Sequence, residues 1–489
     1  MDDLQISHLK EVWGRSYERP LYRTLYSVLR DFILSGELPA GEKIFPSRRL
    51  AQTLSVSRNT VTQAIELLQS DGFLIARQGD GVYVSYDIAS PDLLRGGEGE
   101  EADQRTPALA GRVKHWQGVR KRHYRFGAGV AFSPGVPALD LFPFDVWARL
   151  LSRRWRLSGP KLAMQEDPAG YEALRCELSQ YLRRTRGLKC GAHQIIIVSG
   201  AQQGLDLLGR VLWEEGDRVA IEEPAFPGMD GVVLGNGALI EPIALDDEGI
   251  SMDYLAGLTG VKSIMVMPSR NYPLGTTMSL GRRMALLELA RQKCSWIIED
   301  DFDCEFRFDG PPLTSLQGLD KDGRVIYVGT FSRIIFPALR LGFVVVPETL
   351  VDPFIAAKAY IDGHASIIHQ AVLADFFNEG YFDSHLRRMK KLYKERRNYL
   401  IEQVESRLPD YFEINLADGG LHICLLCKQP IEDTVLSRAL HNVGIVARPL
   451  SSFYRLPFKK QGLVLGFAGF DKKTIDAGLQ QIEKTIKRM

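Results

Sequence analysis

The spacing of apolar residues changes along this chain, and the change separates two predicted domains. Between Leu21 and Leu34 they recur at helical spacing. A short helix is predicted after Pro46, and another after Ser57, whose hydroxyl suits an N-cap. Short β runs then flank a Gly-rich turn at 78–81. Helix, helix, turn, helix and a two-stranded ribbon predict a winged helix-turn-helix domain over residues 1–85.

From about residue 123 to the end, β runs alternate with helical stretches. Six runs are almost entirely apolar, namely 195–198, 218–221, 263–267, 296–299, 325–328 and 341–346. Strands buried on both faces have this composition. The pattern therefore predicts an α/β domain over 123–489, built on a mostly parallel sheet flanked by helices. Such sheets bind their ligands at the carboxyl ends of the strands.

The segment between the two domains, residues 86–122, has little to bury. Glycine and acidic residues dominate 95–103, which predicts a flexible linker. The stretch 112–125 is basic, with Trp116 and Tyr124 interleaved. It is either the solvated edge of the linker or an additional contact to DNA phosphates, and the solvated edge is the simpler interpretation.

Composition narrows the function classes. With 489 residues and a net charge of +1, the chain has no global attraction to nucleic acid, so any DNA contact must come from a local patch. No apolar run of membrane-spanning length and no secretion signal is visible, which predicts a cytoplasmic protein without membrane contact. Six scattered cysteines fit reduced thiols. Cys424 and Cys427 fall on opposite faces of a strand, so no metal site is predicted.

Two short segments of the first domain resemble the GntR family of winged-helix regulators, and the resemblance covers about 65 residues. They are Pro46-Ser-Arg-Arg-Leu-Ala and Val56-Ser-Arg-Asn-Thr-Val. The resemblance implies double-stranded DNA as partner, with contacts from the helix before the turn, the recognition helix and the wing. The implied DNA-binding residues are Arg48, Ser57, Arg58, Asn59, Thr60, Thr62, Gln63, Arg77, Gln78 and Gly79.

Six segments of the second domain resemble fold-type I aminotransferases, which carry pyridoxal phosphate (PLP), and they occur in the expected order. They are 167–175, 199–203, 222–228, 268–275, 298–303 and 329–333. With the winged helix in front, the whole chain is similar to the MocR/GabR subfamily of GntR regulators. This implies a PLP-dependent transferase-like fold and a homodimer, since fold-type I proteins build their site at a dimer interface.

The resemblance also implies how a cofactor would be held. Backbone amides at a helix N-terminus suit a dianionic phosphate, two hydroxyls and a guanidinium complete the cup, and Asp300 pairs with the ring nitrogen. The implied cofactor-binding residues are Gly200, Ala201, Gln202, Phe226, Asn271, Asp300, Phe302, Thr330, Ser332, Arg333 and Arg340.

The departures from the family pattern concern the chemistry. Arg333 stands where a lysine forms the Schiff base with PLP, and a guanidinium is never a neutral nucleophile. Phe302 and Phe226 stand where tyrosines usually bond and stack on the cofactor, and Arg270 and Asn271 replace a His-Gln pair. Near the C-terminus, Val464 fills the place of the substrate-carboxylate arginine, for which Arg448 is a candidate substitute.

Transamination needs the lysine both as imine partner and as acid/base, so no catalytic residue and no turnover are predicted. We expect a transcriptional regulator that senses a PLP-related or amino-acid effector noncovalently. Its expected cofactor is PLP or a related phosphorylated pyridine, bound noncovalently. The alternative for the pocket is that it is empty and purely structural. The alternatives are a working aminotransferase with an accessory DNA-binding domain and a ligand-independent dimeric DNA-binding protein.

Overall fold

The computed structural model describes residues 3–15, 19–86, 108–122, 131–164, 167–310, 313–457 and 459–489. It divides into two compact units, Met1–Ala108 and Leu109–Met489, each with its own core. We describe each unit by itself.

The first unit is a helical bundle with a two-stranded wing. Its elements are α1 (Asp3–Arg15), α2 (Leu21–Leu34), α3 (Ser47–Leu54), α4 (Arg58–Ser70), β1 (Leu74–Arg77) and β2 (Gly81–Val84). The apolar stripe of α2 is buried against α4, as its spacing predicts. The side chain of Ser57 accepts a hydrogen bond from the Thr60 amide at 3.1 Å, which makes Ser57 the N-cap of α4. The predicted winged helix-turn-helix is confirmed.

The wing is held in shape by Asp80 at its turn. Lys43 Nζ lies 2.8 Å from Asp80 Oδ1, and the Tyr83 hydroxyl donates to Asp80 Oδ2 at 2.6 Å. Strands β1 and β2 pair in antiparallel register, with Leu74 opposite Val84. The two contacts to Asp80 fix the turn that presents the tip of the wing to solvent.

The second unit contains thirteen helices among its described residues. They are α5 (Arg112–Arg122), α6 (Phe144–Leu162), α7 (Glu172–Arg186), α8 (Ala201–Leu212), α9 (Pro227–Gly235), α10 (Met252–Gly257), α11 (Leu280–Lys293), α12 (Leu316–Leu319), α13 (Val351–Asp362), α14 (Ile367–Asn378), α15 (Tyr381–Arg407), α16 (Asp433–Asn442) and α17 (Lys472–Ile486).

Two sheets run through this unit. The larger contains β3 (Ile195–Val198), β4 (Arg218–Glu223), β5 (Leu239–Asp246), β6 (Gly249–Ile250), β7 (Val261–Val266), β8 (Trp296–Asp301), β9 (Val325–Thr330) and β10 (Gly342–Val345). The smaller contains β11 (Phe412–Asn415), β12 (His422–Cys427), β13 (Arg448–Pro449) and β14 (Gly462–Gly466). Their orders are β3-β10-β9-β8-β7-β4-β5-β6 and β11-β12-β14-β13.

The larger sheet is mostly parallel, as predicted, with exceptions at strands β10 and β6. Strands β9, β8, β7, β4 and β5 pair in parallel, whereas β10 is antiparallel to both β3 and β9, and β6 is antiparallel to β5. Alternate residues of β3 enter two different core clusters, Ile195 and Ile197 on one side and Ile196 and Val198 on the other. Burial on both faces is why these runs are almost wholly apolar.

The prediction of a flexible linker through residue 122 is wrong for its last part. Residues 87–107 lie outside the described residues, as do Tyr124 and Arg125. Residues 112–122, however, form α5, which belongs to the second unit and packs on α9. The indole nitrogen of Trp116 donates to the Gly231 carbonyl at 3.0 Å. Packing on α9, including this contact of Trp116, therefore accompanies helix formation in a segment whose charge pattern predicts solvation.

Candidate functional site

A cavity of about 270 Å³ lies at one edge of the larger sheet. The parallel strands β4, β8 and β9 end there, and so does β3, while antiparallel β10 begins there. Loops that follow or precede these strand ends therefore converge on one space. The cavity is lined by Gly135, Ala201, Gln202, Leu205, Phe226, Tyr272, Asp300, Phe302, Thr330, Ser332, Arg333, Pro337 and Arg340.

One end of the cavity, which we call the cup, has the features of an anion site. Helix α8 begins there at Ala201, and its N-cap Gly200 has a φ of 89° and makes no side-chain cap. The first turn of a helix presents amide donors and the positive end of the helix dipole. The cup is completed by the side chains of Thr330, Ser332 and Arg340.

Arg340 is fixed over the start of α8 by its own backbone and by a neighbouring carbonyl. Its φ of 52° is in the left-handed region, which is uncommon for a residue with a side chain. Its Nη2 donates to the Ser199 carbonyl at 2.7 Å. A Cβ added at Gly200 would lie 3.2 Å from the Arg340 guanidinium, so a glycine there keeps the cation close to the helix start.

Asp300 provides an acceptor on the wall of the cavity. It is 6% exposed, and its Oδ1 is buried without a hydrogen-bond partner among the described residues. Burial, and then the neighbouring Asp301, raise the pKa of Asp300 to about 7. Strand alternation directs Asp301 to the other face, where its Oδ2 accepts from Arg186 at 2.5 Å and from the Tyr327 hydroxyl at 2.7 Å.

Arg333 forms a second part of the lining, which we call the Arg333 end of the cavity. Its side chain is half-buried and makes no hydrogen bond or ion pair with a described residue. The guanidinium rests on Gly135, where an added Cβ would lie 1.1 Å from its Nη1. Removal from water lowers the pKa of Arg333, and the positive charges of Arg448 and Arg270 act in the same direction.

Among the described residues that line the cavity there is no lysine. Lys358, the first lysine after the loop in sequence, is fully buried on α13 and forms an ion pair with Asp362. Asp362 in turn accepts from Gln203 at 2.6 Å. Lys358 therefore has a structural partner and does not replace a lysine at position 333.

Three aromatic rings form the remaining walls. Phe226 and Phe302 each meet the ring of Tyr272 edge-on, at 6.3 and 5.9 Å between centroids. The Tyr272 hydroxyl makes no hydrogen bond with a described residue and stands beside Phe302, where the family usually carries a phenol. We did not predict Tyr272, although it directly follows the Arg270-Asn271 pair that marked this loop.

Asn271 does not line the cavity, contrary to the prediction that it binds a cofactor. Its side-chain nitrogen donates to Glu222 Oε2 at 2.8 Å and to the Pro224 carbonyl at 3.1 Å. Burial raises the pKa of Glu222 to about 7, so Asn271 satisfies a weakly acidic buried group behind the wall. Gly200 borders the cup through Arg340, and the other predicted cofactor-binding residues all face the cavity.

The region of the missing substrate arginine also contains a cation. Arg448 lies directly opposite Val464 across the β13–β14 pair, in line with its candidacy as a substitute. Arg270 is committed to a buried ion pair with Asp303 and lies 5.5 Å from the Phe302 ring centroid. His422 Nε2 donates to the Pro273 carbonyl at 3.1 Å, and the residue is buried on β12.

The residues of the cavity fit a phosphorylated pyridine but not its covalent attachment. A phosphate matches the cup, a ring nitrogen matches the unpartnered Asp300 oxygen, and aromatic faces match the ring. No primary amine is present among the lining residues to condense with an aldehyde. We did not predict four other residues of the lining, because their approach to the cavity depends on how distant loops fold. They are Tyr272, Gly135, Leu205 and Pro337.

In the first unit, the predicted DNA-binding residues lie on the recognition helix, the helix before it and the wing. Thr60 and Thr62 are half-buried, and the other predicted side chains are exposed. Arg58 Nε lies 3.4 Å from Ser47 Oγ, and Arg77 stacks on Tyr83 at 4.4 Å from the ring centroid. Within this unit α3, α4 and the wing tip thus carry solvent-facing cations at Arg48, Arg58 and Arg77.

Comparison with known proteins agrees with both halves. Residues 130–482 match the family "Aminotransferase class I and II", and residues 21–84 match "Bacterial regulatory proteins, gntR family". The chain is 38% identical over 478 residues to the probable rhizopine catabolism regulatory protein MocR of Rhizobium meliloti, with 97% of this chain and 95% of that protein covered. The chain belongs to the MocR/GabR family of GntR-type transcriptional regulators.

Two further proteins are similar to this chain, one a regulator over the whole chain and the other an aminotransferase over the second unit. The pyridoxine biosynthesis transcriptional regulator PdxR of Corynebacterium glutamicum is 28% identical, with 94% of each chain covered. The kynurenine aminotransferase of Pyrococcus horikoshii superposes with a TM-score of 0.68 at 27% identity, covering 78% of this chain and 95% of that one. In this MocR-type regulator, the second unit therefore has the fold of aminotransferases. None of the helices described is both long and apolar enough to span a bilayer.

Proposed function

We propose that this MocR-type regulator binds operator DNA through its winged helix and binds a PLP-related or amino-acid effector noncovalently, without transaminase activity. The observation that carries the proposal is Arg333, a guanidinium within a cavity that otherwise fits a phosphorylated pyridine. When bound, such a ring supplies an electron sink for amino-acid chemistry. The chain's own residues supply binding and orientation, and none of the lining groups supplies the amine that turnover requires.

The cup and Asp300 support noncovalent binding. Charge-assisted hydrogen bonds from Arg340 and from helix amides are strong enough to hold a phosphate without a covalent bond. Asp300 would orient the ring by accepting a hydrogen bond from a protonated ring nitrogen, and Phe226 and Tyr272 would offer it aromatic contacts. The whole set lies in one unit, so the effector site does not depend on the winged helix for its formation.

The exposed cations of α3, α4 and the wing support DNA binding. Short donors at the start of a helix suit phosphate oxygens, and a guanidinium reaches a base edge in the major groove. We further propose a cytoplasmic homodimer, whose two heads read paired half-sites. Ligand binding then acts by favouring one arrangement of the heads over another.

A gel-shift assay with the DNA upstream of the chain's own gene tests the proposal. We expect a specific complex whose affinity or mobility changes when PLP or amino acids are added. Arg58→Ala weakens the complex, whereas Arg210→Ala does not, because Arg210 pairs with Asp206 on the surface of α8 in the other unit. A complex that never responds to ligand would instead favour a ligand-independent DNA-binding protein.

The absence of turnover needs its own assay. Purified protein is incubated with PLP, an amino acid and a keto acid, and amino-group exchange is followed together with borohydride trapping. We expect neither exchange nor a pyridoxyl label on the 325–342 segment. Exchange by the native chain, or a label in that segment, would support the rival function of a working aminotransferase.

A further inference from the structure

The cation at position 333 lacks a counter-ion among the described residues. Its guanidinium projects into the cavity over Gly135 and makes no hydrogen bond there. The side chain is half-buried, and a cation that is partly removed from water is stabilised by an anion that pairs with it. The structure therefore contains a charge that a ligand can neutralise.

The charged groups around Arg333 do not provide that neutralisation. Asp303 is the nearest acidic influence, but it is bound by Arg270 through two contacts, one of them 3.1 Å from Nε to Oδ1. Arg448 adds positive charge from β13, and the side chain of Tyr272 also lies near the guanidinium. Burial and Asp301 raise the pKa of Asp300 to about 7, although Arg333 acts to lower it, so Asp300 carries only part of a negative charge near neutral pH. The Arg333 end of the cavity is thus net positive.

The cup also suits an anion, so the lining of the cavity offers two sets of anion-binding groups, the cup and Arg333, together with aromatic side chains. We propose that the effector is a phosphorylated heteroaromatic ring that bears a carboxylate on the ring carbon where PLP bears its aldehyde. The phosphate occupies the cup, and Arg333 holds the carboxylate through paired N–H donors. This inference rests on the proposed function and specifies the ligand class of the same cavity.

Guanidinium chemistry explains the choice of a carboxylate. The planar fork of arginine matches two carboxylate oxygens at once, which neither a neutral aldehyde nor an alcohol offers. An ammonium group on the same ring carbon, as in pyridoxamine phosphate, meets a like charge and is disfavoured. Among pyridine ligands that carry the same phosphate group, the affinity is therefore highest for the carboxylate, lower for the aldehyde and lowest for the amine.

Isothermal titration of the full-length protein tests this order with four probes: 4-pyridoxic acid 5′-phosphate, PLP, pyridoxamine 5′-phosphate and inorganic phosphate. We expect the carboxylate to bind at least about 10-fold more tightly than PLP, in keeping with a charge-assisted pair. Pyridoxamine phosphate binds more weakly than PLP, and inorganic phosphate is the weakest of the four.

Arg333→Gln separates the charge from the shape of the cavity. It should weaken the carboxylate probe by about 10- to 100-fold and change PLP affinity by less than about threefold. Arg210→Gln, on the outer surface of α8, is the matched control and should change neither. Circular dichroism melting and the gel shift verify that both variants fold and still bind DNA.

Two kinds of failure are distinguishable. If PLP binds but pyridoxamine phosphate equals the carboxylate probe, or if Arg333→Gln keeps the preference for the carboxylate, the carboxylate inference is overturned and noncovalent PLP sensing stands. If none of the three pyridines binds more tightly than inorganic phosphate, noncovalent sensing of a phosphorylated pyridine fails too, and the carboxylate inference falls with it.

Discussion

The two ends of the cavity differ in how they are built. The cup depends on the start of α8, on Gly200 and on the left-handed backbone of Arg340, so most of its function follows from the course of the main chain. The opposite end depends on one side chain, that of Arg333. On the proposed function, phosphate binding rests mainly on the course of the main chain, whereas the loss of covalent attachment rests on one side chain. Four substitutions test this contrast.

The largest effect is expected from Arg333→Lys. A lysine at this position restores a primary amine, and desolvation in the cavity favours its neutral form. On addition of PLP we expect the visible absorbance band of a lysine Schiff base at one equivalent per chain, which the native protein lacks. Arg340→Lys is the control, because a lysine in the cup stays with the phosphate. If Arg333→Lys gives no band, the cup does not hold PLP in the expected orientation.

Asp300→Asn should change the dependence of stability on pH. The pKa of the folded-state Asp300 is raised to about 7 from 3.8, so the folded protein retains a proton that the unfolded chain has lost. The contribution of Asp300 to the free energy of unfolding is fully present below about pH 4. It declines as the pH rises to about 7, by roughly 1.4 kcal/mol per pH unit. Urea unfolding of the ligand-free protein at pH 5, 6 and 7 should show this decline, and the variant should decline less. Equal slopes would mean that Asp300 ionises normally.

Arg340→Gln tests the cup. Loss of a charge-assisted hydrogen bond should weaken every phosphorylated pyridine by about 10- to 30-fold, whatever the substituent on the ring. Titration calorimetry measures the loss, and Arg210→Gln again serves as the control. A loss confined to the carboxylate probe would show that the two ends are not independent.

The smallest effect is expected outside the cavity. Ser57→Ala removes the N-cap of α4 and should destabilise the winged helix by about 1 kcal/mol. It should weaken operator binding and leave ligand titrations unchanged. Ser70→Ala, at the exposed last residue of the same helix, should alter neither property. A change in ligand affinity with Ser57→Ala would contradict the independence of the effector site.

Much of this architecture was predictable from the sequence, for identifiable reasons. Strands such as Ile195–Val198 are apolar on both faces, so their pattern cannot be mistaken for that of an exposed segment. The strand next to the sheet edge, Leu239–Asp246, was missed because it is exposed or half-buried over most of its length. Cup residues follow strand ends in sequence and were found, whereas Gly135 and Tyr272 reach the cavity only through tertiary folding.

The prediction for Asn271 failed for a related reason. Its position in a motif was correct, but a buried acid behind it, Glu222, takes its donors. Likewise, the charge pattern of 112–122 predicted a solvated segment, whereas these residues form a helix that packs on α9. Sequence patterns indicate the average burial of a segment, and they do not indicate which individual contacts its side chains make.

That indole contact has a mechanical consequence. The indole of Trp116 donates a hydrogen bond to Gly231 of α9. Helix α9 begins immediately after Phe226, which lines the cavity. In its first turn, the Gly228 carbonyl accepts a hydrogen bond from Gln202 at 3.0 Å. A shift of that helix when the cavity fills would pull on the chain at Trp116. Eight residues upstream lies Ala108, where the DNA-reading unit ends. The short helix α9 thus connects the cavity wall at Phe226 with the first helix of the second unit at Trp116.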